Sequence, residues 1–269
     1  MRGSGAGPAD LLRALASAAW ARLKGGYYDV PSRAPHARRS LLAALLAYPG
    51  IPVIAELKPR SPLEGPLRDE VDVKGLLLSF QRGGACAVSV LTEPDHFGGS
   101  LQHLPLARRL LSLPLLMKDV VVDPRQLGAA AALGADAVLL IEELFSRGLT
   151  AEPLEGMVAL AHSLGLEVLL EVHDERGLRR ALASEAEVIG INNRDLSTLR
   201  TSLEVSRRLL RLVPRGRPIV CESGLGDRKE LLELRALGAS GFLIGTSLMK
   251  AADVEGTLRL FTAPEGRGA

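Results

Sequence analysis

A carboxylate and an ammonium close the first apolar run of this chain, in the stretch "VIAELKPRSP" at residues 53–62. The run favours a buried strand, but Glu56 and Lys58 are charged. Residues two apart on a strand point to the same face, so both side chains are expected to project into one space. A lysine held beside carboxylates keeps its proton, which is the state that a general acid requires.

Polar residues end several later apolar runs in the same way. Asn192 and Arg194 in "IGINNRDL" are again two apart and are predicted to share a face. A lone Lys or Glu at a strand end is more often a solvated loop residue than a catalyst. A set of them that converges on one space must be neutralised or must bind something, because an unpaired buried charge costs several kcal/mol. The set comprises Glu56, Lys58, Lys118, Glu171, Asn192, Arg194 and Glu222.

Two glycine-rich turns, "ESGLGD" and "IGTSLMK", follow the last two apolar runs. Each stands where a helix would begin, so backbone N–H groups can cradle a phosphate there. The turns contain Ser223, Gly224, Gly245 and Thr246, and Arg60 can add a positive charge. Glycine and serine are also ordinary loop residues, but their presence in both turns favours a phosphate site.

The elements that must position these side chains recur after Gly50. Apolar runs rich in Val, Ile and Leu alternate with amphipathic stretches that close on glycine, as in "AALGADAVLLI". Such repetition predicts a parallel sheet, and eight units in about 200 residues predict a (β/α)₈ TIM barrel. A doubly wound open sheet is the alternative, which the absence of GxGxxG after the first run weakens. The runs are 53–58, 87–92, 114–119, 137–143, 167–172, 188–194, 218–224 and 241–247.

An N-terminal segment precedes the first strand. Apolar residues at helical spacing predict helices over residues 10–23 and 40–47. We therefore expect residues 1–50 to form a helical extension, with residues 1–8 disordered, and residues 51–269 to form the barrel. No linker follows Gly50, so a single domain is expected.

Composition excludes several classes of protein. The 269 residues are 47% hydrophobic with a formal net charge of +2, which supports a sizeable core and argues against a dedicated nucleic-acid surface. No apolar run is long enough to span a bilayer, and Cys86 and Cys221 lie far apart. No Cys/His cluster has metal-ligand spacing. We expect a cytoplasmic protein without a metal; nothing in the sequence sets its oligomeric state, and a monomer is the working expectation.

These motifs together resemble the indole-3-glycerol phosphate synthase family. A strand ending in Glu-x-Lys together with "IGINNRDL" is a specific combination, and the similar segments cover residues 53–250 in the family's order. They are "AELKPRSP", "SVLTEPDHFGGS", "LMKDVVVDPRQ", "GADAVLLI", "IGINNRDL", "ESGL" and "FLIGTSLM". The resemblance implies N-terminal helices over the barrel mouth and a reaction without a cofactor. In that reaction, 1-(2-carboxyphenylamino)-1-deoxyribulose 5-phosphate closes a ring and loses CO₂ and water to give indole-3-glycerol phosphate.

The resemblance also implies roles for individual residues. Lys118 matches a general acid at the substrate carbonyl, and Glu171 matches its general-base partner. Lys58 matches a lysine that holds the substrate carboxylate or acts as an acid during dehydration. The remaining matches are Glu56 and Glu222, which orient the lysines; Asn192, Arg194, Ser61, Ser223 and Phe97, which contact the substrate; and Arg60, Gly224, Gly245 and Thr246, which bind phosphate.

Three other functions fit these residues less well. Phosphoribosylanthranilate isomerase would require a cysteine base after the first strand, and a ribulose-phosphate epimerase would require metal-binding His and Asp. A non-catalytic phosphate-binding barrel would not need two lysines facing three glutamates. Pro59 and Val120 depart from the family's usual pattern, so we expect their surroundings to differ.

Overall fold

The apolar runs form the parallel strands of one closed barrel. The computed structural model describes residues 10–31, 37–195 and 199–264. Within these residues, eight strands pair in sequence order and the first also pairs with the last, which confirms the TIM barrel and excludes an open sheet. The predicted disorder of residues 1–8 lies outside the described residues.

The strands are four to six residues long and almost entirely buried, as expected for a sheet covered by helices on its outer face. They are β1 Val53–Leu57, β2 Ala87–Leu91, β3 Leu115–Lys118, β4 Ala137–Ile141, β5 Glu167–Val172, β6 Val188–Asn192, β7 Ile219–Glu222 and β8 Gly241–Ile244. A two-residue ribbon, Arg60–Ser61 with Gly65–Pro66, projects after β1.

Helices connect the strands and cover them. Gly134 illustrates how the chain turns from helix to strand, because it ends its helix with a φ of 95° and so adopts a left-handed conformation that glycine accepts readily. The helices are α1 Leu11–Lys24, α2 Leu41–Leu46, α3 Val73–Arg82, α4 His103–Leu110, α5 Pro124–Leu133, α6 Glu142–Ser146, α7 Leu154–Ser163, α8 Glu175–Ala183, α9 Glu204–Leu210, α10 Arg228–Ala236, α11 Thr246–Lys250 and α12 Val254–Thr262.

The N-terminal segment contains the two predicted helices. The Asp10 side chain accepts a hydrogen bond from the Arg13 amide and caps α1, while Ser40 caps α2 through the Ala43 amide. Leu12, Leu15 and Ala19 face the barrel and are buried, so α1 is held by the apolar stripe that predicted it.

Several strands end earlier than the apolar runs predicted. The run at 218–224 forms a strand only to Glu222, because Ser223 and Gly224 have φ values of 68° and 74°, outside the extended region. The run at 241–247 ends at Ile244 because Thr246 begins α11. Lys58 follows β1 rather than belonging to it.

None of the helices in the described part of the chain is long and apolar enough to cross a membrane.

Candidate active site

One ammonium lies among three carboxylates at the C-terminal mouth of the barrel. Lys118, the last residue of β3, places its Nζ 2.6 Å from Glu222 Oε2, 3.6 Å from Glu171 Oε2 and 3.7 Å from Glu56 Oε2. The carboxylates come from β7, β5 and β1, and each is the last or next-to-last residue of its strand. We refer to these four residues as the Lys118 cluster.

Two further polar side chains extend the Lys118 cluster. Lys58 Nζ lies 3.0 Å from Glu56 Oε1, so Glu56 stands between two ammonium groups. The Asn192 amide donates to Glu171 Oε1 at 3.0 Å, while its Oδ1 accepts from the Arg194 backbone at 2.9 Å. Asn192 is thereby fixed on both sides, and it orients the Glu171 carboxylate.

Burial and charge act in opposite directions in the Lys118 cluster. Burial lowers the pKa of Lys118, but the charges of Glu222, Glu56 and Glu171 outweigh it and raise the pKa well above the ordinary value. Burial raises the pKa of Glu56, but Lys58 and Lys118 together bring it below the ordinary value. For Glu222, burial prevails and raises the pKa to about 7. The mouth therefore holds a protonated lysine, an ionised glutamate and a glutamate that titrates near neutrality.

Two glycines make room for these carboxylates. A β-carbon added at Gly190 on β6 would overlap Glu222 Oε1, and one added at Gly245 would overlap Glu56 Oε1. Both glycines lie next to the strand ends that carry the Lys118 cluster. The absence of a side chain at these positions allows the carboxylates to fold inward beside the lysines.

A cavity of about 360 Å³ lies over the Lys118 cluster. Leu11 and Leu15 of α1 form part of its wall, so the N-terminal helix does cover the barrel mouth, and Val120 also lines it. Arg60 is exposed and does not line the cavity. Glu222 does not line the cavity either, but it contacts Lys118, which does. The other predicted site residues all line the cavity: Glu56, Lys58, Ser61, Phe97, Lys118, Glu171, Asn192, Arg194, Ser223, Gly224, Gly245 and Thr246.

Sequence comparison decides the family of this chain. The family model described as "Indole-3-glycerol phosphate synthase" matches residues 18–261. The chain belongs to the indole-3-glycerol phosphate synthase family. Among curated members, the protein of that name from Geobacillus thermodenitrificans is 40% identical over 244 residues, which cover 89% of this chain and 93% of the relative. Indole-3-glycerol phosphate synthase 2 of Streptomyces coelicolor is 44% identical over 86% of this chain and 87% of its own.

Solved structures agree on the fold. A thiamine phosphate pyrophosphorylase from Pyrococcus furiosus aligns with a TM-score of 0.58 at 19% identity, over 82% of this chain and 96% of its own. The N-acetylmannosamine-6-phosphate 2-epimerase from Clostridium perfringens aligns with a TM-score of 0.56 at 13% identity, over 80% of this chain and 93% of its own. At such identities the likeness establishes the barrel alone. Membership of the synthase family, by contrast, places the chain among the decarboxylating lyases of tryptophan biosynthesis.

A second group of charged residues beside the synthase cavity was not predicted as part of the site. Arg22 of α1 points inward and places Nη1 2.7 Å from Glu93 Oε1 and 2.5 Å from Asp95 Oδ2. Its Nη2 lies 3.8 Å from Asp119 Oδ1. We refer to Arg22, Glu93, Asp95 and Asp119 as the Arg22 cluster. Glu93 and Asp119 also line the cavity, so the two clusters share one wall.

No metal-binding arrangement occurs among the residues that the structure describes, since no three His, Cys, Asp or Glu side chains are grouped to hold an ion.

A second, more polar cavity of about 470 Å³ lies beside the first. Glu171 and Arg194 line both, so the Glu171 carboxylate borders two separate spaces.

Proposed function

We propose that the cavity over the Lys118 cluster converts 1-(2-carboxyphenylamino)-1-deoxyribulose 5-phosphate into indole-3-glycerol phosphate, CO₂ and water. The observation that carries this proposal is the position of Lys118. Its ammonium is shared by carboxylates from three strands and lines the cavity of a chain that belongs to the synthase family.

Ring closure requires a proton donor at the substrate carbonyl. The aromatic carbon that bears the carboxylate attacks the ketone carbon, and the ketone oxygen becomes an alkoxide unless it is protonated. Lys118 supports the role of donor, because its three neighbours keep it protonated and an alkoxide is a far stronger base than an amine. Glu222, at 2.6 Å from Nζ, holds the ammonium in place.

The later steps require the loss of CO₂, which restores the aromatic ring, and then the loss of a hydroxyl group and a proton as water. Glu171 is placed to accept the proton, since Asn192 fixes one of its oxygens and the other faces Lys118. Lys58 is placed either to hold the substrate carboxylate or to protonate the departing hydroxyl, and Glu56 orients it at 3.0 Å.

The remaining walls support binding of the two ends of the substrate. Phe97, Leu11 and Leu15 offer apolar surface to an aromatic ring, while Gly224, Gly245 and Thr246 form the small-residue wall proposed for the phosphate. A phosphate held away from the reacting carbons contributes orientation rather than chemistry. Arg60 lies outside the cavity lining, so its proposed phosphate contact would require the ribbon to move.

A fluorescence assay tests the proposal directly. The purified protein is mixed with the synthetic carboxyphenylamino ribulose phosphate, and the appearance of indole-glycerol phosphate is followed by its emission. We expect turnover without any added metal or cofactor. No signal at high enzyme concentration would refute the proposed function. The monomeric state and the cytoplasmic location expected from the sequence stay predictions.

A further inference from the structure

The Arg22 cluster joins the N-terminal helix to two parts of the cavity wall. Arg22 lies in the last turn of α1, and its side chain is only 8% exposed. Glu93 follows β2, and Asp119 immediately follows Lys118 at the end of β3. A single guanidinium thus contacts residues from two consecutive strand ends of the barrel.

Glu93 organises the loop that carries Phe97. Its Oε2 accepts from the backbone amides of His96 at 2.8 Å and Phe97 at 3.0 Å, and its Oε1 accepts from the amide of Asp95 at 3.2 Å. The loop is also tied to the ribbon after β1, because the Phe97 carbonyl accepts from the Arg60 amide at 3.0 Å. The orientation of the Glu93 carboxylate therefore sets where Phe97 enters the cavity.

Asp119 fixes the strand end that carries Lys118. Its Oδ2 accepts from the Thr92 hydroxyl at 2.5 Å and from the Tyr28 hydroxyl at 3.1 Å, and its Oδ1 accepts from the Val120 amide at 2.8 Å. The Thr92 amide donates in turn to the Lys118 carbonyl at 3.1 Å. The backbone under the Lys118 ammonium is thereby held from the side of α1.

We propose that Arg22 is a positioning residue of the synthase site. It holds the Phe97 loop through the hydrogen bond from Nη1 to Glu93, and the Lys118 strand end through the charge of Nη2 at 3.8 Å from Asp119. The inference rests on the proposed function for its catalytic consequence. Arg22 touches no part of the cavity itself and acts only through Glu93, Asp95 and Asp119. Among the described residues, it is the one Lys or Arg side chain within 4.0 Å of either Glu93 or Asp119.

Arginine is suited to this position and lysine is not. The planar guanidinium fixes the directions of its nitrogens, so that Nη1 donates to Glu93 while Nη2 faces Asp119 at 3.8 Å. A lysine keeps the charge but offers one nitrogen on a flexible stem. Arg22→Lys therefore separates the presence of charge from the geometry of the contact, and Arg22→Met removes both.

The experiment compares Arg22→Met and Arg22→Lys with Arg13→Met, a control on the same helix whose side chain is 68% exposed. Each variant is measured for kcat, KM and thermal midpoint, and amide hydrogen exchange is followed at residues 93–99 and 118–120. We expect Arg22→Met to raise KM and lower kcat by about tenfold each, since displacements near 1 Å are sufficient for such losses. Exchange at the His96 and Phe97 amides should accelerate at least tenfold.

Arg22→Lys decides between positioning and bulk stability. We expect it to recover most of the thermal midpoint while kcat/KM stays at least tenfold below that of the unaltered protein. If Arg22→Met does not fold, the thermal midpoint and kcat/KM of Arg22→Lys are sufficient to test the inference. Unaltered kcat and KM in Arg22→Met, or full recovery of kcat/KM in Arg22→Lys, would overturn the inference.

The exchange measurement keeps the two proposals distinguishable. If the unaltered protein does not turn over the substrate, the proposed function fails, but faster exchange in Arg22→Met would still support the positioning role. If the unaltered protein is active and Arg22→Met exchanges and reacts like Arg13→Met, only the positioning role fails.

Discussion

The Lys118 cluster and the Arg22 cluster each place one cation among three carboxylates, but they differ in how the carboxylate oxygens are satisfied. In the Arg22 cluster, both oxygens of Glu93 and both of Asp119 accept hydrogen bonds from backbone amides or hydroxyl groups. In the Lys118 cluster, Glu56 Oε2 and Glu222 Oε1 have no hydrogen-bond donor among the described residues.

The difference supports the structural role proposed for the Arg22 cluster and the catalytic role proposed for the Lys118 cluster. A buried carboxylate with complete hydrogen bonding is held in one place. Burial of a carboxylate oxygen that lacks a hydrogen-bond donor destabilises the fold. A nearby cation or a bound proton reduces that cost. Burial, together with the nearby charges of Glu171 and Glu56, raises the pKa of Glu222 to about 7. We therefore expect the carboxylates of the Lys118 cluster to exchange protons with a substrate, and those of the Arg22 cluster to hold their surroundings.

Removal of the central cation should show the largest contrast. Lys118→Met is expected to lower kcat by about 10³-fold or more, because it deletes the proposed proton donor. The measurement is steady-state fluorescence at saturating substrate, with Lys74→Met on the exposed face of α3 as the control. Survival of the unaltered rate in Lys118→Met would exclude the lysine as the acid.

Glu222→Gln should change how stability depends on pH. Burial raises the pKa of this carboxyl from 4.5 to about 7, so the folded protein retains a proton that the unfolded chain releases. The group is neutral in its effect below pH 4.5, and it destabilises the fold increasingly as the pH rises towards 7. The cost reaches on the order of 3 kcal/mol above pH 7.

The measurement for Glu222→Gln is urea unfolding at pH 5 and pH 8. The difference in unfolding free energy, variant minus unaltered protein, should be larger at pH 8 than at pH 5, because only the unaltered protein loses stability as the pH rises. The kcat/KM profile of the unaltered protein should contain an apparent pKa near 7 that the variant lacks. Parallel pH dependence of the two proteins would contradict the assignment of a reactive, incompletely satisfied carboxyl.

Gly245→Ala should disturb the reactive cluster without removing a charge. The φ of Gly245 is −116°, which alanine can adopt, so the effect comes from the overlap of the new methyl group with Glu56 Oε1. We expect Glu56 to shift away from Lys58 and kcat/KM to fall about 30-fold, as small displacements of positioned groups do. Gly128→Ala is the matched control, since a β-carbon there meets nothing within 4 Å in α5. It should stabilise the helix slightly and leave activity unchanged.

The sequence predicted the Lys118 cluster better than the Arg22 cluster. A period of two in each strand and the closure of a barrel were enough to bring Glu56, Lys118 and Glu171 together. The glycine-rich turn containing Ser223 and Gly224 was predicted, but the end of β7 was placed two residues too late, because an apolar run does not show where positive φ begins. The sequence also did not predict that residue 190 must be glycine, because the requirement comes from the Glu222 side chain on the neighbouring strand.

Arg22 carried a local signal that its partners did not. It follows Leu15 by seven residues and Ala19 by three, which places it on the buried face of α1. A charged residue on such a face requires a partner, and this could have been predicted. The identity of that partner could not, because Glu93 lies 71 residues away along the chain and meets Arg22 only when the barrel closes.

The smallest expected effect tests the structural cluster by itself. Thr92→Val keeps the shape of a fully buried side chain but removes the hydroxyl that donates to Asp119 Oδ2 at 2.5 Å. Because Tyr28 still donates to the same oxygen, we expect a loss of about 1.5 kcal/mol in unfolding free energy and a change in kcat below about threefold. Urea unfolding and steady-state kinetics measure both quantities on the same preparation.

Thr257→Val provides the control, because its hydroxyl donates to a backbone carbonyl in a solvent-facing turn of α12 and its loss should change stability by less than about 0.5 kcal/mol. A fall in kcat/KM for Thr92→Val as large as the fall of about 30-fold expected for Gly245→Ala would mean that Asp119 acts in the chemistry and not only in the support of Lys118. Substitutions around Arg22 should therefore lower the free energy of unfolding more than they lower kcat/KM. Substitutions around Lys118 should do the reverse.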